Sequence, residues 1–290
     1  MARSSRLASL DRLNPSKLMS ARRSRQLKNA RRGIQLKTPE QIEKMRVAGR
    51  LVREVHDLCR QMCQPGTTTM EIDLAAAALI NSRGARNLFL NYPTYEPGQG
   101  FPSNLCISVN EVVVHGIASD YVLEEGDVVG IDCGVQIDGW CGDAATTIPV
   151  GTVEPEVQAL LDTTLECLQL AIEHMQPNRR WSQIARLMQN HAESRGYGVV
   201  RGFVGHGIGD TMHQEPKVPN FVDRDLLKND IQLRPGMTLA VEPMCNLGTR
   251  DTRTLDDQWT VVTVDGLPSA HFEHTIAVTA DGCDVLTDGR

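Results

Sequence analysis

Two aspartates lie close together in residues 128–150, VVGIDCGVQIDGWCGDAATTIPV, where they could share a cation. The pair Asp138-Gly139 is a strong signal for a two-residue hairpin turn, so the sequence predicts an antiparallel strand on each side of it. In that register Asp143 faces Gly134, and Asp132 lies on the same face because strand side chains alternate. The two carboxylates are then diagonal neighbours, within roughly 7–8 Å of each other.

The face of the hairpin that carries Asp132 and Asp143 also carries Gly130, Gly134 and Gln136, which leaves space for a bound group. Carboxylates at this distance repel each other unless a proton or a cation lies between them. A divalent metal is the usual solution where further carboxylates and a histidine converge. From the hairpin alone, one solvated aspartate and one turn aspartate remain an equally good interpretation.

Three motifs later in the chain carry further side chains of metal-ligand type. They are GHGIG with His206, VEPM with Glu242 and FEHT with Glu273. Taken alone, a glycine-flanked histidine is typical of a tight turn, and one strand glutamate could pair with an arginine. Two glutamates in apolar strands are costly to bury unpaired. Together with the aspartate pair and His206, they are better explained by a shared cation.

These five side chains would carry a charge of about −4, which two divalent metals would offset. Such a dinuclear site can hold a bridging water or hydroxide, polarise a carbonyl and stabilise a tetrahedral intermediate. Oxygen and imidazole ligands favour Mn, Fe, Co or Zn over copper or an iron–sulfur cluster. We therefore expect two divalent ions per chain and a hydrolytic reaction.

The order, spacing and context of these residues resemble the metal ligands of the type I methionine aminopeptidases, a family with the pita-bread fold. The motifs IEKMRVAGR (42–50), CISVNEVVVHGI (106–117) and HFEHTIAVT (271–279) also resemble that family, and the similarity extends from about residue 34 to 287. Only 35 residues separate His206 from Glu242, which leaves no room for the long insertion of the type II enzymes.

The resemblance implies a role for each of the five residues. Asp132 and Asp143 would bind one metal, and His206 and Glu242 would complete the second. Asp143 and Glu273 would bridge both ions, and Glu242 would also act as a proton shuttle.

The resemblance also assigns substrate contacts. His115 would lie near the scissile amide nitrogen and assist the leaving amine, and His213 would hydrogen-bond the substrate carbonyl. Read without the resemblance, His115 is the end of a strand and His213 a loop histidine. An apolar methionine pocket would include Phe101, Cys106 and Trp259.

Three positions depart from the family's usual pattern. Residues 92–100, YPTYEPGQG, do not follow the usual Gly- and Tyr-rich stretch, so Tyr92 and Tyr95 have no assigned place in the pocket wall. Met212 stands where an aromatic residue is common, and Val114 where cysteine is common. These differences concern side-chain selectivity rather than the reaction.

The function implied is removal of the initiator methionine from nascent polypeptides whose second residue is small, by a monomeric enzyme. A prolidase- or aminopeptidase-P-like enzyme would share the fold and metals, but such enzymes usually carry a folded amino-terminal domain. A non-catalytic binding protein on the same scaffold would typically lack metal ligands, and all five are present here.

Composition limits the other possibilities. The chain has 290 residues, 41% of them hydrophobic and 23% charged, which is ordinary for a soluble globular protein. No run of apolar residues is long enough to span a membrane. The eight cysteines are scattered, which favours reduced thiols and a cytoplasmic location.

The charge is unevenly distributed. Residues 1–33 contain eight Arg and two Lys against one acid, Asp11, so this segment carries about +9 and the remainder of the chain about −15. Three interpretations remain for this segment: a disordered arm that binds ribosomal RNA or another polyanion, an organellar transit segment, or an inert solvated tail.

Helix signals place the folded catalytic domain at residues 34–290. Thr38, Pro39 and Gln41 predict a helix start, with apolar spacing continuing to about Cys63. A second helix is predicted with Thr69 as its cap and an apolar stripe of Ile72, Leu74, Ala75, Ala78 and Leu79. Two more helices are predicted at about 155–175 and 181–194. Two helices followed by antiparallel strands, twice over, predict an α+β fold with pseudo-twofold halves. The resemblance adds a central curved antiparallel sheet covered by helices.

Overall fold

Pairs of helices alternate with groups of strands in the computed structural model, which describes residues 33–93 and 100–290. The helices are α1 (Pro39–Met62), α2 (Thr69–Ser82), α3 (Pro155–His174), α4 (Trp181–Glu193) and the short α5 (Arg224–Lys228). The first group of strands is β1 (Arg86–Asn87), β2 (Cys106–Val109), β3 (Val112–Val114), β4 (Val128–Ile137) and β5 (Trp140–Pro149). The second group is β6 (Gly198–Val199), β7 (Gly205–Gly207), β8 (Gln214–Val218), β9 (Thr238–Val241), β10 (Met244–Asn246), β11 (Thr252–Thr254), β12 (Val261–Thr263), β13 (Ser269–His271), β14 (His274–Val278) and β15 (Cys283–Val285).

Residues Ile34–Arg290 form one unit by their contacts. The predicted basic arm lies outside the described residues except for Gly33, and so does Tyr95 of the predicted pocket loop. Within residues 33–93 and 100–290, no helix is both long and apolar enough to cross a bilayer.

The central hairpin forms in the predicted register. β4 and β5 pair so that Ile137 faces Trp140 and Gly134 faces Asp143. The turn residues Asp138 and Gly139 have φ values of 49° and 82°, as a two-residue turn with two left-handed positions requires. The other face of β4 belongs to the core, because Val129, Ile131, Cys133 and Val135 are fully buried in one cluster with α1 and α2, and Ile137 is partly buried against it.

The start of α1 is confirmed, and the cap of α2 is corrected by one residue. Thr38 and Gln41 form the predicted capping box. In α2 the cap is Thr68 rather than Thr69, because the Thr68 hydroxyl accepts the Glu71 amide and the Glu71 carboxylate accepts the Thr68 amide. Thr69 is already helical, and its hydroxyl donates to the Ser119 carbonyl.

The buried face of α2 differs from the periodicity expected from its apolar residues. Ile72, Ala76 and Ile80 are buried, whereas Leu74 is 59% exposed. Asp73 occupies the buried face because its carboxylate accepts the backbone amides of Asn104 and Leu105 at 2.8 Å. A charged residue thus holds the loop that leads into β2, a role that hydrophobic periodicity does not detect.

Among the described residues, the antiparallel strands form four hydrogen-bonded sheets. β4 lies between β1 and β2 and also pairs with β5, while the largest sheet has the order β15-β14-β9-β7-β8. These two sheets are connected at the site by the Glu273 amide, which donates to the Ala145 carbonyl at 2.8 Å. The Thr275 hydroxyl also donates to the Asp143 carbonyl at 2.7 Å and accepts the Asp143 amide at 3.1 Å.

Each pair of helices covers its own sheet. One hydrophobic cluster joins α1 and α2 to β4, and a second joins α3 and α4 to β9 and β14. The α+β class and the repeated plan of two helices and antiparallel strands are therefore confirmed. The candidate ligands lie on, or directly beside, strands of both helix-covered sheets.

Candidate metal centre

Five strands of two sheets position the predicted ligands. Asp132 lies on β4 and Asp143 on β5, while His206 is the middle residue of β7. Glu242 follows β9 directly, and Glu273 comes directly before β14. Asp143, His206 and Glu273 are buried, and Asp132 and Glu242 are partly buried.

The ligand atoms converge on one volume. His206 Nε2 lies 4.0 Å from Asp143 Oδ2 and 3.8 Å from Glu242 Oε1. One ligand atom from each of Asp143, His206 and Glu273 lies within 4.8 Å of the other two, a spacing that could hold a metal ion. Asp132 is close enough to raise the pKa of Asp143, Glu242 and Glu273 through its charge.

The imidazole of His206 is oriented for ligation by its own backbone. Its Nδ1 lies 3.0 Å from the Gly207 carbonyl, so Nδ1–H donates there and Nε2 faces the carboxylates. Burial lowers the pKa of His206 to about 4, which leaves the ring neutral at pH 7 with a free lone pair on Nε2.

The glycines on each side of His206 are required by close strand packing. A Cβ at Gly205 would lie 2.3 Å from the Ala240 carbonyl oxygen, and one at Gly207 would lie 2.3 Å from the Glu215 carbonyl oxygen. The GHG motif is thus a packed strand rather than a tight turn.

The carboxylates are buried without a cationic side chain to neutralise them. Within the described residues, no Lys or Arg forms an ion pair with any of the four, which removes the arginine interpretation. Asp132 Oδ1, Asp143 Oδ1 and Glu273 Oε1 are buried and find no hydrogen-bond partner in this part of the chain. The alternative of a solvated aspartate and a turn aspartate in the hairpin is also excluded, because Asp143 is only 4% exposed. Orphaned carboxylate oxygens of this kind fit a divalent cation.

The pKa values of the four carboxyl groups are also raised by this burial. Burial raises the pKa of Asp132 to about 7. Burial, with the charge of Asp132, raises the pKa of Glu242 to about 8. Burial and the neighbouring carboxylates hold the pKa of Asp143 and Glu273 well above their usual range. Without a cation the cluster therefore retains protons at neutral pH.

His213 lies beside the cluster, and His115 is close enough to His213 and His271 that its charge adds to the burial that lowers their pKa. The ring centroid of His213 is 4.3 Å from that of His206, and its Nδ1 lies 2.8 Å from Tyr92 Oη. His115 follows β3 with φ 59° and packs edge-on against Phe203 at 5.2 Å. Burial lowers the pKa of His115 to about 4, so this imidazole is neutral at pH 7.

The three predicted pocket residues belong to one apolar cluster. The rings of Phe101 and Trp259 meet edge to face at 5.2 Å, and Cys106 lies in the same cluster with Phe89 and Met212. Leu88, Tyr92 and Ile117 pack against it. This cluster adjoins the metal centre at Gly134, where a Cβ would be 2.8 Å from Phe89 Cε1 and 3.2 Å from both Asp143 Oδ1 and Met212 Sδ.

Sequence reasoning left two polar neighbours of the site without a role. Tyr92 lies in a loop whose composition gave no register, so no signal in the sequence could place it. His271 is buried, and its Nε2 lies 4.0 Å from Glu242 Oε2 without a hydrogen-bond partner among the described residues. The spacing of two residues between His271 and Glu273 could have pointed to His271, because a continuous strand would place both side chains on one face, although the structure interrupts the strand after His271.

Comparisons with known proteins find a metallopeptidase family and methionine aminopeptidases. The sequence profile of metallopeptidase family M24 matches residues 43–280. The chain is 41% identical over 251 residues to methionine aminopeptidase 1 of Bacillus subtilis, covering 87% of this chain and 98% of that protein. It is 41% identical over 256 residues to the methionine aminopeptidase of Escherichia coli, covering 88% of this chain and 94% of that protein.

Solved structures agree with the fold. The methionine aminopeptidase of Thermotoga maritima superposes with a TM-score of 0.82 at 37% identity, over 88% of this chain and 99% of that one. The prolidase of Pyrococcus furiosus gives a TM-score of 0.71 at 20% identity, over 97% of this chain and 75% of that one, and supports the fold alone. The pita-bread fold expected from the sequence is thereby confirmed.

The raised pKa values predict how stability depends on pH in the metal-free chain. Unfolded carboxyls titrate near pH 4. In the folded chain the pKa is about 7 for Asp132 and about 8 for Glu242. Between these limits the folded chain holds more protons than the unfolded chain, so the free energy of unfolding falls as pH rises from about 5 to 8. Each such proton contributes about 1.4 kcal/mol per pH unit.

Urea unfolding of the chelator-treated chain at several pH values measures this effect, with Mn²⁺-loaded protein as the comparison. Mn²⁺ should stabilise the protein more at pH 8 than at pH 6, because binding displaces protons. A metal-free chain whose stability is constant or increases over this range would contradict the assignment.

Proposed function

The chain belongs to metallopeptidase family M24, among its methionine aminopeptidases, and we propose that the five-residue cluster is its metal centre. The chain is a metal-dependent hydrolase that removes the amino-terminal methionine from polypeptides whose second residue is small. The observation that most supports a metal centre at these residues is the convergence of Asp143, His206 and Glu273 within 4.8 Å, in a cluster without a Lys or Arg partner in the described structure.

Two divalent ions per chain suit this cluster better than one. Four ionised carboxylates carry about −4, and a single divalent ion would leave about −2 buried. Asp143 and Glu273 are proposed as the residues shared by both ions, with Asp132 on one side and His206 and Glu242 on the other. Oxygen and imidazole donors suit Mn, Fe, Co or Zn. When bound, the ions would activate a water molecule and polarise the scissile carbonyl.

The residues around the ions would handle substrate and protons. We assign Glu242 to proton transfer, since its carboxylate lies beside both His206 and His271. His115 is neutral at pH 7 and can donate a hydrogen bond toward the leaving amine. His213 is the proposed donor to the substrate carbonyl, where charge develops during the reaction.

Tyr92 would set the tautomer of His213. If the phenol O–H donates to Nδ1 across the 2.8 Å contact, the ring proton must lie on Nε2, the nitrogen that remains for the substrate. Tyr92 is therefore a positioning residue: it acts on the reaction through His213.

The apolar cluster beside the ions is the proposed methionine pocket. Phe101 and Trp259 form an aromatic corner, and Cys106 lies in the same cluster. Aromatic rings and soft side chains suit an unbranched thioether. The metal centre adjoins this pocket at Gly134, so a bound methionine side chain would place its amide near the ions.

Nascent polypeptide amino termini are the substrates, and residues 34–290 are the proposed catalytic domain. We propose that the basic segment 1–33 binds ribosomal RNA through its charge of about +9.

A cytoplasmic location and a monomeric state complete the proposal. All eight cysteines fall in the described part of the chain and are unpaired there, in keeping with a reducing compartment. Organellar targeting by residues 1–33 is the alternative for this segment.

Substitution of one ligand tests the reaction. Asp143→Asn should lower turnover of a Met-Ala-type peptide by about 10³-fold and lower the bound metal content, because several kcal/mol of transition-state stabilisation depend on the ions. Asp138→Asn, in the exposed turn of the same hairpin, is the matched control and should retain full activity. Assays should compare Mn, Fe, Co and Zn. Preference for Xaa-Pro over Met-Ala peptides, or equal activity of the two variants, would contradict the assignment.

Tyr92→Phe tests the positioning role. The substitution keeps the ring in the apolar cluster and removes only the hydroxyl, so kcat should fall about tenfold while KM stays within about twofold. Tyr197→Phe is the control and should leave both constants unchanged. An unchanged kcat in Tyr92→Phe would show that His213 does not need this contact.

Removal of residues 1–33 tests the arm. The truncated chain should sediment with ribosomes less than the full chain at low salt, and the difference should vanish at high salt. Peptide hydrolysis in solution should be unaffected. Equal co-sedimentation of both chains at low salt would contradict the RNA-binding role.

A further inference from the structure

The loop of residues 208–213 joins β7 to β8 and ends at His213. Met212 is buried in the apolar cluster beside the metal centre, whereas Asp210 and Thr211, in the middle of the loop, are exposed. Apolar packing therefore does not fix the middle of the loop, and polar contacts have to hold it. The origin of those contacts decides how precisely His213 is placed.

A buried lysine supplies such a contact from outside the loop. Lys37 lies just before α1 and is only 7% exposed. Its backbone amide donates to the Gly236 carbonyl at 2.7 Å, and its Nζ donates to Gln214 Oε1 at 2.6 Å and to the Gln35 carbonyl at 3.3 Å. Burial lowers the pKa of Lys37 to about 8, with the charge of Asp210 acting in the opposite direction, so the ammonium is mostly protonated at pH 7.

Gln214 transmits this contact to the loop. Because an ammonium can only donate hydrogen bonds, the amide oxygen of Gln214 faces Lys37 and its NH₂ group faces the loop. That nitrogen, Nε2, donates to Asp210 Oδ1 at 2.6 Å and to the Thr211 hydroxyl oxygen at 3.2 Å. The Asp210 carbonyl accepts a further hydrogen bond from Gln136 Nε2 at 3.0 Å. The exposed middle of the loop is thus bound to Lys37 through a single intervening side chain.

The backbone of the loop also packs directly on the lysine. A Cβ at Gly209 would lie 2.5 Å from Lys37 Cε and 2.9 Å from Gln214 Nε2. The Gly209 carbonyl accepts the Cys141 amide at 2.8 Å, and the Gly209 amide donates to the Thr211 carbonyl at 3.1 Å. The stem of Lys37 therefore supports the start of the loop, while its ammonium holds the residue that follows the loop.

We propose that Lys37 is a positioning residue for the reaction, which fixes Gln214 and thereby the 208–213 loop and His213. The inference rests on the proposed function, in which His213 donates to the substrate carbonyl. Tyr92 contacts the His213 ring at Nδ1, whereas Lys37 acts on the His213 backbone through the next residue in the chain. A donor to a developing negative charge has to be placed accurately, so a displaced loop lowers the rate more than it weakens substrate binding.

Lys37→Met tests the inference, because methionine keeps an unbranched apolar stem and removes the ammonium. In the full, Zn-loaded chain, kcat for a Met-Ala-type peptide should fall about tenfold while KM stays within about twofold. The bound metal content should not change, since no ligand is touched. Lys44→Met, at an exposed lysine of α1, is the matched control and should leave both constants unchanged. Assays well below the unfolding temperature of each variant separate this effect from a loss of stability.

A double-mutant cycle with Gln214 distinguishes positioning from a general structural role. Gln214→Met should lower kcat by a factor similar to that of Lys37→Met. The variant with both substitutions should be no slower than the slower single variant, because both changes break one contact. Heteronuclear NMR of the His213 ring gives a second readout: its signals should shift in Lys37→Met and stay in place in Lys44→Met.

His213→Ala distinguishes failure of the inference from failure of the proposed function. Full activity in His213→Ala would contradict the proposed role of His213, and the inference would fall with it. An impaired His213→Ala beside an unchanged kcat in Lys37→Met would overturn the inference alone. Multiplicative effects in the cycle, or unshifted His213 signals, would also overturn it. If Lys37→Met does not fold, Gln214→Met decides, because that side chain is only partly buried and an unchanged kcat there contradicts the inference.

Discussion

Four carboxylates within reach of one another, in a site largely closed to water, cannot all be ionised without a counter-charge, and the structure of this chain is organised around that constraint. Three of their oxygens are buried with no hydrogen-bond partner in the described residues. In the absence of a cation, burial and mutual repulsion hold protons on the cluster at neutral pH. Binding of divalent metal ions at this site would therefore release protons from the carboxyl groups.

The ligands come from two sheets, each backed by its own pair of helices, so the site depends on the junction between them. Thr275 and Asp143 exchange hydrogen bonds across this junction, and the Glu273 amide donates to Ala145. These hydrogen bonds fix the backbones of Asp143 and Glu273, the two proposed bridging residues, relative to each other. The apolar contacts of each half thus position ligands without taking part in the chemistry.

Much of the site could be predicted from the sequence, because its signals are local or specific in type. The hairpin register followed from one Asp-Gly turn and strand alternation, and both aspartates lie where that register places them. The cap of α2 was placed one residue late, since Thr68 and Thr69 both suit a cap and only the reciprocal contact with Glu71 distinguishes them. The buried face of α2 departs from its apolar stripe because Asp73 is buried for its hydrogen bonds rather than for hydrophobicity. Contacts between distant loops, such as that of Tyr92 with His213, leave no periodic pattern in a single sequence.

Crystallography of the Mn²⁺-soaked protein with anomalous scattering would reveal directly whether the four carboxylates and His206 share two cations. Two manganese peaks should appear about 3.5–4 Å apart, with Asp143 and Glu273 coordinating both. Asp132 should contact one ion, and His206 and Glu242 the other. Manganese bound elsewhere, or Glu242 and Glu273 left uncoordinated in fully loaded crystals, would contradict it.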